Sequence, residues 1–116
     1  MKFIKHKNTW CWGKSTIIIT NDGCGTVTVQ FDNDFPDDAN ICGLSVYEAK
    51  RNKGYGTKLL HEAEKEVKEN NRKNIFISCE SNSWIEEWYI KNGYKKCGYT
   101  EGFENKVSLL KKYIVN

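Results

Sequence analysis

A compact turn with two glycines occupies residues 51–57, Arg-Asn-Lys-Gly-Tyr-Gly-Thr, between a run typical of a β-strand and a run typical of an amphipathic helix. Glycine lets the backbone turn tightly and brings its N–H groups close to a ligand. The N-terminus of the following helix adds a partial positive charge, and Lys50, Arg51, Lys53 and Lys58 add formal charge. The stretch therefore predicts a strand–turn–helix unit that binds a phosphorylated ligand. The alternative is an ordinary turn whose basic residues are merely solvated.

The strands are predicted from alternation and β-branched composition. Residues 15–20 and 25–31 flank Asn21-Asp22-Gly23, a sequence typical of a β-hairpin turn. Residues 3–12 predict a preceding strand, whereas residues 32–40, with four aspartates and the only proline, predict a loop. The other predicted strands are residues 41–47, with Cys42, Leu44 and Val46 on one face, and residues 74–79, 94–99 and 107–114.

Two helices are predicted between the later strands. Residues 57–71 carry apolar side chains at helical spacing, with Glu and Lys on the other face. Ser83-Trp84-Ile85-Glu86 has the form of a capping box, so a second helix should begin there and end at Gly93. Several antiparallel strands followed by β-α-β-α-β-β predict an α+β fold with a mixed, mostly antiparallel central sheet and two helices.

Length and charge limit the classes of function. A chain of 116 residues is long enough for one core, so we expect residues 1–116 to form a single domain. No apolar run reaches the roughly 20 residues of a membrane helix, and residues 1–6 lack the apolar core of a secretion signal. A net charge of +3 is too small to indicate nucleic-acid binding by itself. We therefore expect a cytoplasmic protein with no membrane partner. A nucleic-acid binder that uses the lysine-rich surface is the less favoured alternative.

The five cysteines are odd in number and include no C-x-x-C pair, which predicts free thiols in a reducing compartment. His6 and His61 lie at no spacing typical of a zinc site, so no metal is expected. Cys42 and Cys79 lie inside apolar runs, where a cysteine usually serves as a small buried hydrophobe. Neither has a histidine nearby in sequence, so nothing supports an acyl-cysteine route.

Two motifs together narrow the ligand of the 51–57 turn. Arg51, Gly54 and Gly56 resemble the acetyl-CoA signature of the GNAT family of N-acetyltransferases, in which Gln or Arg is followed by Gly three residues later and by Gly or Ala two further on. Downstream, that family commonly has Asn, an apolar residue, Tyr and Gly-aromatic at fixed spacing. The matching residues here are Asn82, Ile85, Tyr89, Gly93 and Tyr94. The resemblance covers about residues 25–114 and implies the GNAT fold and acetyl-CoA as cosubstrate.

The resemblance also implies which residues bind the cofactor. Backbone N–H groups of the turn would hold the CoA pyrophosphate at the helix N-terminus. Strand residues would hydrogen-bond the pantetheine arm and stabilise charge on the thioester carbonyl, and Asn82 would bind from the neighbouring strand end. The implied binding residues are Leu44, Ser45, Val46, Arg51, Asn52, Lys53, Gly54, Tyr55, Gly56, Thr57, Asn82 and Tyr89.

The catalytic residues are less well specified by the motifs. Tyr89 matches the position of the general acid that protonates the departing CoA thiolate; an amphipathic core tyrosine is the alternative. For the general base, Glu80 is the first choice and Glu48 the second, although either carboxylate is otherwise a solvated surface group. Trp84, Ile85 and Trp88 repeat at helical spacing and are interpreted as core.

One departure from the family concerns the acceptor. GNAT members usually have two helices between the first and second strands, whereas at most about ten residues precede Trp10-Cys11-Trp12. The acceptor side should therefore be open, which favours an amine on a protein, a lysine or an N-terminus, over an enclosed small metabolite. The aspartates of the 32–40 loop would attract a cationic acceptor unless they are only solvated. Trp10 and Trp12 are either core or an exposed contact patch.

We therefore predict direct transfer of an acetyl group from acetyl-CoA to a primary amine. The same departure leaves a second function open, in which the chain keeps the fold as a CoA-binding or protein-interaction module with little or no turnover.

Overall fold

The computed structural model describes residues 1–101 and 106–114, so residues 102–105 of the predicted family match lie outside the described part. The strands are β1 (Phe3–Trp10), β2 (Gly13–Thr20), β3 (Gly25–Asp32), β4 (Asp38–Val46), β5 (Asn74–Glu80), β6 (Lys95–Glu101) and β7 (Lys106–Tyr113). The helices are α1 (Tyr55–Glu69) and α2 (Trp84–Lys91), and a 3-10 turn (Glu48–Lys50) follows β4.

The described strands form one seven-stranded sheet in the order β1-β2-β3-β4-β5-β7-β6. Every neighbouring pair is antiparallel except β4 and β5, which are parallel and are connected through α1. The prediction of a mixed, mostly antiparallel sheet with two helices is confirmed. Cys11 and Trp12 alone join β1 to β2, so no helix lies between the first two strands.

Strand β4 differs from its prediction in two ways. It begins at Asp38 rather than at residue 41, because Ala39 alternates into the core and Asp38–Asn40 pair with β5. A bulge follows, since Thr28 pairs with Cys42 whereas Thr26 pairs with Ser45, and Gly43 takes the left-handed conformation (φ 64°). The extra residue turns the exposed Cys42 to the face opposite that of the half-buried Leu44, so the prediction that they share a face was wrong.

Both helices pack on the same face of the sheet. The buried face of α1, formed by Leu59, Leu60, Ala63 and Val67, joins the core with β2, β3, β4 and β5. Lys112 of β7 connects the helices, because its Nζ donates to Glu64 of α1 at 2.9 Å and to the Asn92 carbonyl after α2 at 3.0 Å. Within the described residues, no helix covers the opposite face.

Helix α1 is also attached to β1 by a buried carboxylate. Glu66 accepts hydrogen bonds from Lys5 at 3.1 Å and from the Thr16 hydroxyl at 3.2 Å. Burial acts to raise the pKa of Glu66, but the hydrogen bond and charge of Lys5 outweigh it and lower the pKa below its ordinary value.

In the described part of the chain, no helix has the length and hydropathy needed to span a membrane.

The lowered pKa of Glu66 predicts acid sensitivity. A carboxylate with a lower pKa folded than unfolded stabilises the fold above its unfolded pKa, and this contribution is lost as pH falls through the folded pKa. We expect the melting temperature to drop below about pH 4.5. Glu66→Gln should cost about 5 °C at pH 7 and flatten the pH dependence, as measured by thermal unfolding between pH 3 and 8. The exposed Glu69→Gln on the same helix is the control, and equal pH curves for the two variants would contradict the assignment.

Candidate active site

The site lies where the two central strands separate. Strands β4 and β5 pair only from Asp38 to Asn40 and from Asn74 to Phe76. Beyond these residues β4 continues to Val46 and β5 to Glu80 without pairing. The carboxyl ends of the two parallel strands therefore diverge, and the crossover helix α1 begins beside the opening.

A cleft of about 640 Å³ lies beside this opening, a volume typical of small-molecule sites. It is bordered by the end of β4, by the turn before α1 and by one side of α2. Its lining residues are Leu44, Ser45, Val46, Lys50, Arg51, Asn52, Gly54, Tyr55, Gly56, Thr57, Trp84, Ile85, Trp88 and Tyr89. Ten of the twelve predicted binding residues are in this set; Lys53 and Asn82 are not.

No side chain caps the first amides of α1. The N-cap residue of this helix, Gly54, is left-handed (φ 81°) and offers no side chain to these amides, and no acidic residue lies in the first helical turn. Asn52 is left-handed as well (φ 63°), so the backbone reverses direction within three residues. Helix α1 begins at Tyr55, two residues before the predicted start. Uncapped N–H groups together with the helix dipole favour an anion at this point.

Helix α2 shows the contrast, because its N-terminus is capped by the chain itself. The Ser83 hydroxyl accepts a hydrogen bond from the Glu86 amide at 3.2 Å, as the capping box predicts. The Glu86 carboxylate accepts from the Asn82 amide at 3.1 Å and from the Ser108 hydroxyl at 2.6 Å. Since these groups satisfy the start of α2, the start of α1 is the better anion site.

Tyr89 lies on the helix side of the cleft and is 6% exposed. Its ring makes edge contacts with Trp88 and Tyr94, at centroid distances of 5.1 and 5.7 Å. Burial raises the pKa of Tyr89 to about 12, so the hydroxyl is protonated at neutral pH. Within the described residues the hydroxyl makes no hydrogen bond, and it is therefore available to a ligand.

The burial of the large apolar residues of α2 was only partly predicted. Trp88 and Ile85 pack against the core, but both also line the cleft, and the Trp88 indole lies over Gly56. Trp84 is 71% exposed at the rim of the cleft, so its interpretation as core was wrong. Helical spacing identified which residues share one side of α2, but not that the first residue of this side, Trp84, is exposed to solvent.

The carboxylates proposed as bases lie outside the lining of the cleft. Glu80 is exposed at the end of β5, where it pairs with Val107, while its neighbour Cys79 pairs with Ser108 on the helix-covered face. Because side chains alternate along a strand, Glu80 points to the face that no described helix covers. Glu48 is exposed in the 3-10 turn. Asn82 follows β5 and is left-handed (φ 57°).

The cysteines form no reactive arrangement with the cleft. Cys42 is exposed, so its prediction as a buried hydrophobe was wrong, whereas Cys79 is half-buried against the core. Neighbouring atoms remove part of the water around each sulfur, which raises the pKa of both thiols, so they stay protonated at neutral pH. In the part of the chain described, no group of three or more metal-ligating side chains comes together.

The acidic loop and the tryptophan pair lie at the other end of β4. Asp32 ends β3 and Asp38 begins β4, whereas the cleft is at Leu44–Val46, so these aspartates do not line it. Trp10 and Trp12 are 50% and 40% exposed and stack at 6.3 Å. They are thus a surface pair and not core, which answers the question that their sequence left open.

Comparison with known proteins agrees with this geometry. A family model for the GNAT acetyltransferase domain matches residues 7–100. No protein of curated function matches the sequence significantly. An acetyltransferase from Bacillus cereus ATCC 14579 has a similar structure, with 26% identity and a TM-score of 0.71 over 95% of this chain and 74% of that chain.

Two further solved structures share the fold. A GNAT family acetyltransferase from Elizabethkingia anophelis, solved with acetyl-CoA bound, has 16% identity and a TM-score of 0.76 over 97% of this chain and 98% of that chain. The ribosomal-protein-S18-alanine N-acetyltransferase from Escherichia coli has 14% identity and a TM-score of 0.74, over 88% and 69% of the two chains.

Since the family model covers most of the sequence, the chain belongs to the GNAT family of acetyltransferases. It is an N-acetyltransferase, and acetyl-CoA is its cosubstrate. The resemblance predicted from the two motifs is confirmed, although the family match both begins and ends nearer the N-terminus, at residues 7 and 100, than the predicted range of about 25–114.

Proposed function

We propose that residues 1–116 form a single N-acetyltransferase domain that moves an acetyl group from acetyl-CoA directly to a primary amine on a protein, a lysine or an N-terminus. The observation that carries the proposal is a cleft at the end of β4, where this strand separates from β5, with Tyr89 on the helix-covered face of the sheet and Glu80 on the other face. Acetyl-CoA bound from one face and an amine arriving from the other would meet at the thioester carbonyl of the cofactor.

The helix-covered side of the cleft binds the cofactor. The uncapped amides of Tyr55, Gly56 and Thr57 hold the pyrophosphate, and Lys50 and Arg51 add positive charge at the lining of the cleft. The bulge at Gly43 and Leu44 takes backbone groups out of the regular β3–β4 ladder, which makes them available to the pantetheine arm and the thioester carbonyl. When bound, acetyl-CoA supplies the activated acetyl group.

Two protons move in the reaction: Glu80 takes one from the amine, and Tyr89 gives one to the departing sulfur. An amine attacks the thioester carbonyl, a C–N bond forms, and the C–S bond breaks. Glu80 takes the proton that the amine loses, through water, from the uncovered face. Tyr89 donates its hydroxyl hydrogen to the departing sulfur from the helix-covered face. No cysteine is acylated, in keeping with the protonated thiols of Cys42 and Cys79.

The uncovered face supports a protein acceptor. Side chains of β4 and β5 that point to this face beside the opening are exposed, namely Asn40, Cys42, Ser78 and Glu80. Small-molecule sites usually enclose most of their ligand, whereas an open sheet face is accessible to a polypeptide. The solved NatC complex bound to Gag peptide and CoA has the same fold, with 18% identity and a TM-score of 0.75.

The five cysteines are free in the structure, which supports a reducing compartment, the cytoplasm.

The proposal is tested by acetyl transfer to lysine peptides, N-terminal peptides and small polyamines, measured by mass spectrometry at varied pH. Glu80→Gln should lower kcat/KM at neutral pH by about 100-fold. The loss should shrink as pH rises, because the amine then loses its proton without help. Glu87→Gln, an exposed carboxylate on α2 that does not line the cleft, is the matched control and should retain full activity.

Each outcome separates one part of the proposal from the rest. A loss in Glu80→Gln that does not change with pH would exclude Glu80 as the base. Transfer to polyamines alone would replace the protein acceptor by a metabolite. Binding of acetyl-CoA with no transfer to any amine would identify the chain as a CoA-binding module.

A further inference from the structure

The turn before α1 is connected to a distant hairpin. The Tyr55 hydroxyl donates a hydrogen bond to Asp22, 33 residues earlier, in the turn between β2 and β3. The same hairpin turn contacts the chain just before the 3-10 turn, where the Tyr47 amide donates to the Cys24 carbonyl at 2.6 Å. The β2–β3 turn therefore supports the cofactor side of the cleft without lining it.

The Asp22 carboxylate is held in place by three donors. Its Oδ1 accepts from the Thr20 hydroxyl at 2.7 Å and from the Cys24 amide at 3.0 Å, and its Oδ2 accepts from Tyr55. These hydrogen bonds, that of Tyr55 first, lower the pKa of Asp22 well below its ordinary range. The carboxylate is thus a charged and oriented acceptor at neutral pH.

The turn itself has few other side-chain anchors. Asn52, Lys53 and Gly54 are exposed, and nothing lies within 4 Å of the position that a Cβ on Gly54 would take. Arg51 reaches back to the Val46 carbonyl at 3.2 Å, and Trp88 lies over Gly56. Tyr55, the first residue of α1, contributes one of the uncapped amides, while its side chain makes the connection to Asp22.

We propose that the Asp22–Tyr55 hydrogen bond is a positioning element that holds the N-terminus of α1 in the orientation that binds the acetyl-CoA pyrophosphate. This inference rests on the proposed cofactor site. Without the connection the backbone amides are still present but sample more orientations, so that binding must also order the turn. Tyr55 and Asp22 act through the backbone and do not touch the reacting atoms.

The test is Tyr55→Phe, which keeps the ring and removes the hydroxyl. We expect the dissociation constant of acetyl-CoA, measured by calorimetry, to rise about three- to tenfold, the net worth of one solvent-exposed hydrogen bond. KM for acetyl-CoA should rise equally while kcat stays unchanged, since the turn binds a part of the cofactor that does not react. With S-acetylpantetheine, which lacks the pyrophosphate, kcat/KM should match that of the wild type.

The partner residue and a matched control complete the design. Asp22→Asn keeps the size of the side chain and removes its charge, and the double variant should bind no more weakly than the weaker single variant. Tyr47→Phe, which removes a hydroxyl from an exposed tyrosine beside the same turn, should bind acetyl-CoA like the wild type. The S-acetylpantetheine comparison separates positioning from general damage, because a disturbed fold would impair both donors.

The failures of the two proposals differ. If the wild type binds acetyl-CoA and Tyr55→Phe binds it equally well, the positioning role is overturned alone. An equal loss toward acetyl-CoA and S-acetylpantetheine also overturns it. If the wild type does not bind acetyl-CoA, the proposed cofactor site is overturned and this inference with it.

Discussion

Tyr89→Phe is expected to lower kcat by about 100-fold, with no comparable rise in KM for acetyl-CoA. In the proposed mechanism the departing sulfur carries negative charge, and the Tyr89 hydroxyl, which makes no hydrogen bond within the described chain, donates to it. Phenylalanine keeps the edge contacts with Trp88 and Tyr94 and fills the same volume. The variant should therefore fold and bind the cofactor, and steady-state kinetics would show the loss in the chemical step alone.

The raised pKa of Tyr89 also predicts how the rate should depend on pH. Because burial raises it to about 12, the hydroxyl keeps its hydrogen until the pH approaches that value. The wild-type rate should accordingly show no alkaline decline from Tyr89 across the range in which the protein is stable. Tyr113→Phe, at an exposed tyrosine of β7 outside the cleft, is the matched control. Full activity in Tyr89→Phe would leave this residue with a packing role only.

Local chemistry explains why much of the lining of the cleft was predictable. A glycine needed for a left-handed turn, such as Gly54, leaves a direct trace in the sequence, and so does the Ser83 cap of α2. Alternation and helical spacing also predicted the order of strands and helices. Tyr89 was chosen as the candidate acid because the resemblance assigned its position; its helical spacing alone gives only a residue on the buried side of α2.

The predictions that were wrong depend on contacts between distant segments. The bulge at Gly43 reverses the faces of β4, and it is defined by pairing with Thr26 and Thr28, so alternation along β4 alone could not place Cys42. Trp84 repeats with Trp88 at helical spacing, but only the packed structure shows that Trp84 is exposed at the rim of the cleft. The connection of Tyr55 to Asp22 spans 33 residues and has no local signal.

The turn also separates two contributions of glycine, one to backbone conformation and one to space. Gly54 is left-handed (φ 81°) with open space around it, so a methyl group there meets a conformational cost and no clash. Gly56 has an ordinary helical conformation, and a Cβ there would lie 3.6 Å from the Trp88 indole, an ordinary contact. The family motif agrees, since it requires glycine at the first position and accepts alanine at the second.

Gly54→Ala should therefore damage the site, whereas Gly56→Ala should be tolerated. An L-residue in the left-handed region costs about 1–2 kcal/mol. Either the turn keeps its conformation and the free energy of unfolding falls by this amount, or the turn relaxes and moves the amides of Tyr55 and Gly56. We expect a fall of about 4–8 °C in the melting temperature, a rise of about tenfold in the dissociation constant of acetyl-CoA, or smaller changes in both if the conformational cost is divided between them. Thermal unfolding with and without acetyl-CoA measures both terms. Equal behaviour of the two variants would contradict the requirement for a left-handed N-cap and, with it, the physical basis for the anion site at the start of α1.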